Sequence, residues 1–164
     1  MKYNRFEELP VWNSAIELAV KVYELTSNPE FKNRYSLRDQ LERAAVSVSN
    51  NIAEGFERGT NQELLTFLYI ARGSVGEVRS MLNLLERLDG FANLKFQISN
   101  LKLLSEEIAR QIRGWADFLQ NSKVKGQRYL TEKTRRSFKS AQDREEFLKQ
   151  LRQSTEKSAK DSAD

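Results

Sequence analysis

LLTFLYIARGSVGEVRSMLNLL, residues 64–85, sets Leu64, Leu68, Ala71, Val75, Val78, Leu82 and Leu85 at alternating steps of four and three. That spacing is a seven-residue repeat, and it predicts one long helix with a continuous apolar seam. Thr60 or Asn61 stands where an N-cap belongs, and Asp89-Gly90 breaks the chain beyond the last turn. A second stripe, Phe67, Ile70, Met81, Leu84 and Leu88, lies roughly 110° from the seam at about 100° per residue. Two readings fit it, a central helix wrapped by its own neighbours or a subunit interface. The interface is expected, because each helix of a square bundle offers only about a 100° stripe to the interior. Gly73 and Gly76 stand mid-helix, where each costs about 1 kcal/mol relative to alanine, so a tight contact is expected to compensate at both.

Outward from this seam the spacing stays helical. A first helix is expected over residues 10–26, opened by Pro10, closed by Asn28-Pro29 and burying Trp12, Ala15, Ile16, Ala19, Val22 and Tyr23. A second is expected over 36–58, with Ser36 as N-cap, Gly59 as C-cap and Leu37, Leu41, Ala44, Val48, Ile52 and Phe56 on one stripe. The fourth, over 94–119, lines up Leu94, Ile98, Leu101, Ile108, Ile112, Trp115 and Leu119. No segment alternates with period two for long enough to suggest a sheet. The expected fold is all-α, an antiparallel up-down four-helix bundle over residues 1–121 with a basic extension over 122–164.

The 164 residues include no cysteine and no histidine. That excludes thiolate metal sites, disulfides, a cysteine nucleophile, a Ser-His-Asp triad and an imidazole acid or base. No apolar run approaches the roughly 20 residues of a membrane span, so a soluble, cytoplasmic chain without cofactor is expected. Charge is unevenly divided. Residues 1–121 hold 15 Lys and Arg against 16 Asp and Glu, whereas residues 122–164 hold 12 against 7. The first part is apolar enough for a core, with 54 apolar residues; the second has 10 and carries all the net positive charge.

The second helix carries a polar line as well: Arg43, Ser47, Asn50, Asn51, Glu54 and Arg58. Ser and Asn are poor helix-interior residues, so a solvated face would more readily hold Lys, Glu or Gln. A polar network between helices or subunits is expected, with Glu54 and Glu77 accepting from Arg72 or Arg43.

The run Gln40, Arg43-Ala44-Ala45-Val46-Ser47-Val48, Asn51-Ile52-Ala53-Glu54-Gly55-Phe56 and Arg58 resembles the signature of the 23S rRNA intervening-sequence proteins. Phe67-Leu68-Tyr69-Ile70-Ala71-Arg72-Gly73-Ser74 with Gly76-Glu77 is similar to that family's third-helix motif, and Phe6, Leu9, Val11-Trp12 and Ala15 to its N-terminal block. Ser49 departs from the pattern, which commonly has proline there. The resemblance implies a homopentameric barrel of four-helix bundles without established catalysis. It also implies a likeness to accessory proteins of diversity-generating retroelements, which bind nucleic acid and a reverse transcriptase. It does not extend over residues 122–164.

Nucleic-acid contact is expected at two places. Lys95, Lys102, Arg110 and Arg113 share a side of the fourth helix, although Glu106 among them also allows ordinary surface pairing with Arg110. Lys123, Lys125, Arg128, Lys133, Arg135, Arg136 and Lys139 follow, interleaved with Tyr129 and Phe138 and opposed by Glu132 alone. Cations neutralise phosphates and aromatics stack on unpaired bases; basic tails also dock on acidic proteins. A short helix is expected over 142–153 and disorder over 154–164.

The leading expectation is thus a non-enzymatic, homo-oligomeric RNA-binding accessory protein. A protein-interaction scaffold, such as one organising a reverse transcriptase, is the alternative. Catalysis is the weakest reading: Glu54 and Glu77 could serve a carboxylate metal site, but the Glu-x-x-His pairs of such bundles are absent. No residue is expected to be catalytic. Arg43, Ser47, Asn51, Glu54, Arg72, Gly73, Gly76 and Glu77 are expected to form a structural or interface network.

Overall fold

The structure is a computed structural model that describes residues 3–122 and three further positions, Ser140, Arg144 and Lys149. Four helices account for most of it: α1 (Pro10–Thr26), α2 (Tyr35–Glu57), α3 (Asn61–Leu85) and α4 (Lys95–Asn121). A short 3-10 turn at Phe6–Glu8 precedes α1, others at Pro29–Phe31 and Ala92–Leu94 lie between α1 and α2 and between α3 and α4, and no strand occurs among the described residues. The chain divides into two units, residues 1–126 and 127–164. In the second, Ser140, Arg144 and Lys149 are helical and exposed. The expected tail contacts, Lys123, Lys125, Arg128, Lys133, Arg135, Arg136 and Lys139, lie outside the described residues, as does most of the expected 142–153 helix.

In the first unit α1 packs on α2 and α4, α2 on α3, and α3 on α4, giving a helical bundle around one core. The seven seam residues of α3 are all buried, so the deciding repeat does what its period demands. Thr60 caps α3 on both counts. Its Oγ1 accepts from the Glu63 backbone N–H at 3.1 Å and donates to Glu63 Oε2 at 2.6 Å. Gly59, at φ 77°, and Gly90, at φ 96°, take left-handed turns after α2 and α3.

Three expectations need correction. Ser36 is not an N-cap: α2 begins at Tyr35, after Arg34, without a side-chain cap. The entry is set instead by Asn33 at φ 69° and by Phe31, which is buried just before it. On α1 the inward line is Val11, Ala15, Leu18, Val22 and Leu25, while Ile16 and Tyr23 are exposed. The whole helix is apolar enough that its spacing admits two faces, and packing selects the one with the leucines. On α4, Trp115 and Leu119 are only half-buried, and Ala116 takes the inner position.

The departure at Ser49 leaves α2 unbroken. Ser49 is buried, and its Oγ donates to the Val46 carbonyl at 3.1 Å, a bond proline could not make. The connections also supply core. Leu9, Phe31, Phe91 and Leu94 are buried. Phe31 meets Phe91 edge-on at 5.0 Å, and the Arg34 guanidinium lies 4.6 Å over the Phe91 ring while donating to the Asp89 carbonyl at 3.2 Å. The α1–α2 and α3–α4 connections are thereby fastened to each other.

Candidate nucleic-acid interface

The polar line of α2 reaches α3 at Ser47 and Arg58, and its other bonds run along α2 itself. Ser47 Oγ and Ser74 Oγ are 2.9 Å apart, and Asn51 Nδ2 donates to the Ser47 carbonyl at 2.7 Å and to Ser47 Oγ at 3.0 Å. Gln40 Nε2 donates to Glu77 Oε1 across the same seam, and Arg43 donates to Gln40 Oε1 at 2.8 Å and pairs with Asp39 at 3.2 Å. A network between helices exists, but with different partners from those expected. Glu54 accepts from Arg58 at 2.6 Å, one turn along its own helix, and neither Glu54 nor Glu77 is bonded to Arg72 or Arg43. The i,i+4 geometry brings Arg58 to Glu54 without crossing to another helix, and Gln40 faces Glu77 directly. The Glu54 carboxylate, by hydrogen bond and charge, holds Arg58 above the ordinary guanidinium value.

Gly55 stands at a close approach between the two helices. A Cβ built there would stand 2.7 Å from Phe67 Cβ and 3.2 Å from Leu64 Cδ1. Arg58 lies 5.3 Å over the Phe67 ring, so Glu54, Gly55, Arg58 and Phe67 close one corner of the bundle. The tight contact expected at Gly73 and Gly76 is absent among the described residues, where a Cβ at either would meet nothing within 4 Å. Both face away from their own core. The second stripe of α3 is divided: Met81 and Leu88 are half-buried and packed against the chain's own core, Phe67 is half-buried beside Gly55, and Ile70 and Leu84 remain exposed.

The expected cation line of α4 also divides. Lys102 is tied to Glu86 at 2.7 Å and partly buried. Lys95 opens α4, about 22 Å along the axis from Arg110 at 1.5 Å per residue, and so belongs to another part of the surface. Arg110 and Arg113 instead meet two arginines of α3. Arg72, Gly76 and Arg79 of α3 and Glu106, Ala109, Arg110 and Arg113 of α4 line a cleft of about 430 Å³. Glu106 does not pair with Arg110; it binds Arg79 at 3.0 Å across the cleft. Asp117 lies 3.7 Å from Arg113. Arg72 and Arg110 have no carboxylate partner among the described residues. Sequence reading placed Arg72 in the polar network and passed over Arg79. The signal was present in the seven-residue step from Arg72 to Arg79, which puts both on one side of α3 with Gly76 between.

A separate apolar groove of about 520 Å³ runs along α1, lined by Ile16, Ala19, Val20, Tyr23, Glu24 and Ser27. No helix among the described residues is long and apolar enough to cross a membrane. No curated protein matches the chain. Residues 7–114, which include all three blocks quoted above except Phe6, match the model of the 23S rRNA-intervening sequence protein family, and the chain belongs to that family.

Proposed function

We propose that this protein is a non-enzymatic RNA-binding accessory subunit that assembles with itself, a pentameric barrel of antiparallel up-down bundles in the cytoplasm. The observation that carries the reading is the partition of charge. A near-neutral helical unit is joined to a segment, residues 123–139, with seven cations, one carboxylate and two aromatics. The fastening of the α1–α2 connection to the α3–α4 connection supports the up-down order, because it puts those two chain reversals at one end of the bundle. Exposed Ile70 and Leu84 on α3, with Ile16, Val20 and Tyr23 on α1, supply surface for copies of the chain to cover. Binding through phosphates predicts weak sequence selectivity, and no element that reads base edges is evident among the described residues. Glu54 and Glu77 are each engaged by a donor on the bundle surface, which favours a structural over a catalytic role for them.

Purification at low and high salt, with light scattering for mass and absorbance at 260 and 280 nm for nucleic acid, tests assembly and binding together. A mass near five subunits and RNA released by salt are expected. A monomer free of nucleic acid at low salt refutes both. The apolar groove on α1 favours a second reading, in which the oligomer organises a protein such as a reverse transcriptase. A stoichiometric protein complex that survives nuclease treatment would select that reading.

A further inference from the structure

We infer that the cleft between α3 and α4 is a second RNA site, in which Arg72 and Arg110 grip a backbone phosphate and Gly76 leaves room for it; the inference rests on the RNA reading above. Four guanidiniums and one carboxylate line this cleft. The carboxylate, Glu106, is engaged by Arg79, and Asp117 beside the cleft reaches only Arg113, at 3.7 Å. Arg72 and Arg110 are exposed and keep their charges unneutralised by any described carboxylate. Arg110 and Arg113 also stand three residues apart on one helix face, a like-charge spacing that is unfavourable unless an anion intervenes. The position between Arg72 and Arg79 is glycine, in open space, where a side chain would otherwise occupy the cleft between the arginines. Guanidinium groups match phosphate oxygens with paired N–H donors, and the cleft has no aromatic lining on which a base could stack. The recognised group is therefore the phosphodiester. The Arg79–Glu106 pair bridges the two helices beside it.

The cations of the cleft are brought together by the packing of two helices. A repeated copy of the cleft in each subunit of an oligomer would multiply its effect.

The test uses the full chain and a fluorescein-labelled twenty-nucleotide oligouridine, titrated from 50 to 300 mM salt. R72Q/R110Q is expected to weaken binding about tenfold at the lowest salt. It should also flatten the dependence of log affinity on log salt by about 1.4, two contacts at about 0.7 each on a single strand. G76E is expected to weaken binding while holding or raising the melting temperature, because glutamate is the better helix former and places a carboxylate among the arginines. K133Q/R135Q/R136Q serves as the comparison. If it alone loses affinity and both cleft variants bind as the parent does, the cleft inference falls and the RNA reading stands. If the parent itself does not bind at 50 mM salt, both fall. Inorganic pyrophosphate supplies the last arm. Saturable stabilisation by it that R72Q/R110Q abolishes, with oligouridine affinity unchanged, would assign the cleft to free phosphate and overturn its role in RNA binding.

Discussion

Gly55 and Gly73 are both helical glycines, and the structure separates them by what a methyl group would strike. At Gly55 it would collide with the Cβ of Phe67, an atom that cannot move without its backbone. Gly55→Ala is expected to lower stability by about 1–3 kcal/mol, overpacking outweighing the helix-propensity gain of about 1 kcal/mol. Gly73→Ala meets open space and should raise stability by about 1 kcal/mol. Urea unfolding of the two variants at low protein concentration measures both, and a loss at Gly73 would reveal a neighbouring copy against that face. Neither contrast was legible in the sequence. Periodicity tells which side of a helix a residue occupies, but the distance to the next helix depends on crossing geometry that only packing fixes. The same limit explains Glu54 and Glu77, whose roles as acceptors were foreseen and whose donors were not.

Single helices were far more legible than the contacts between them. The seam of α3 was complete in the sequence because its period persists through seven buried residues, whereas its second apolar stripe is interrupted between Ile70 and Met81. On α1 the same reasoning found Ala15, Ala19 and Val22, which are buried, but misplaced Ile16 and Tyr23, since leucines, valines and aromatics surround the helix. Helix starts followed a similar rule. Thr60, with Glu63 three residues on, is a local signal and held; the start of α2 is determined by a buried phenylalanine in the preceding turn and could not be read locally. Thr60→Ala is expected to destabilise the protein by about 1 kcal/mol through loss of the cap, seen as a lower denaturation midpoint with an unchanged slope. Thr60→Ser should restore most of it.

Over the whole molecule, positive side-chain charge comes from arginine and lysine alone, because the sequence contains no histidine. Between pH 6 and 8.5 side-chain charge is therefore nearly constant, with carboxylates already ionised and lysines still protonated. Affinity for oligouridine is expected to change by less than about twofold across that range while falling steeply with salt. A marked pH dependence measured by fluorescence anisotropy would point to a different binding chemistry. The family and the helical architecture were accessible from the sequence alone, whereas the arginine cleft was not, because its α3 and α4 cations lie 31 to 41 residues apart and meet only when α3 and α4 pack.

The aromatic fastening of Phe31, Phe91 and Arg34 carries a consequence for how the bundle loosens. Two chain reversals that share a ring contact and a hydrogen bond cannot fray one at a time: releasing Phe91 uncovers Phe31 and removes the surface on which Arg34 rests. Local opening at these connections is thus a single concerted event, while the corner at Gly59, held by Gly55, Arg58 and Phe67, opens by a separate one.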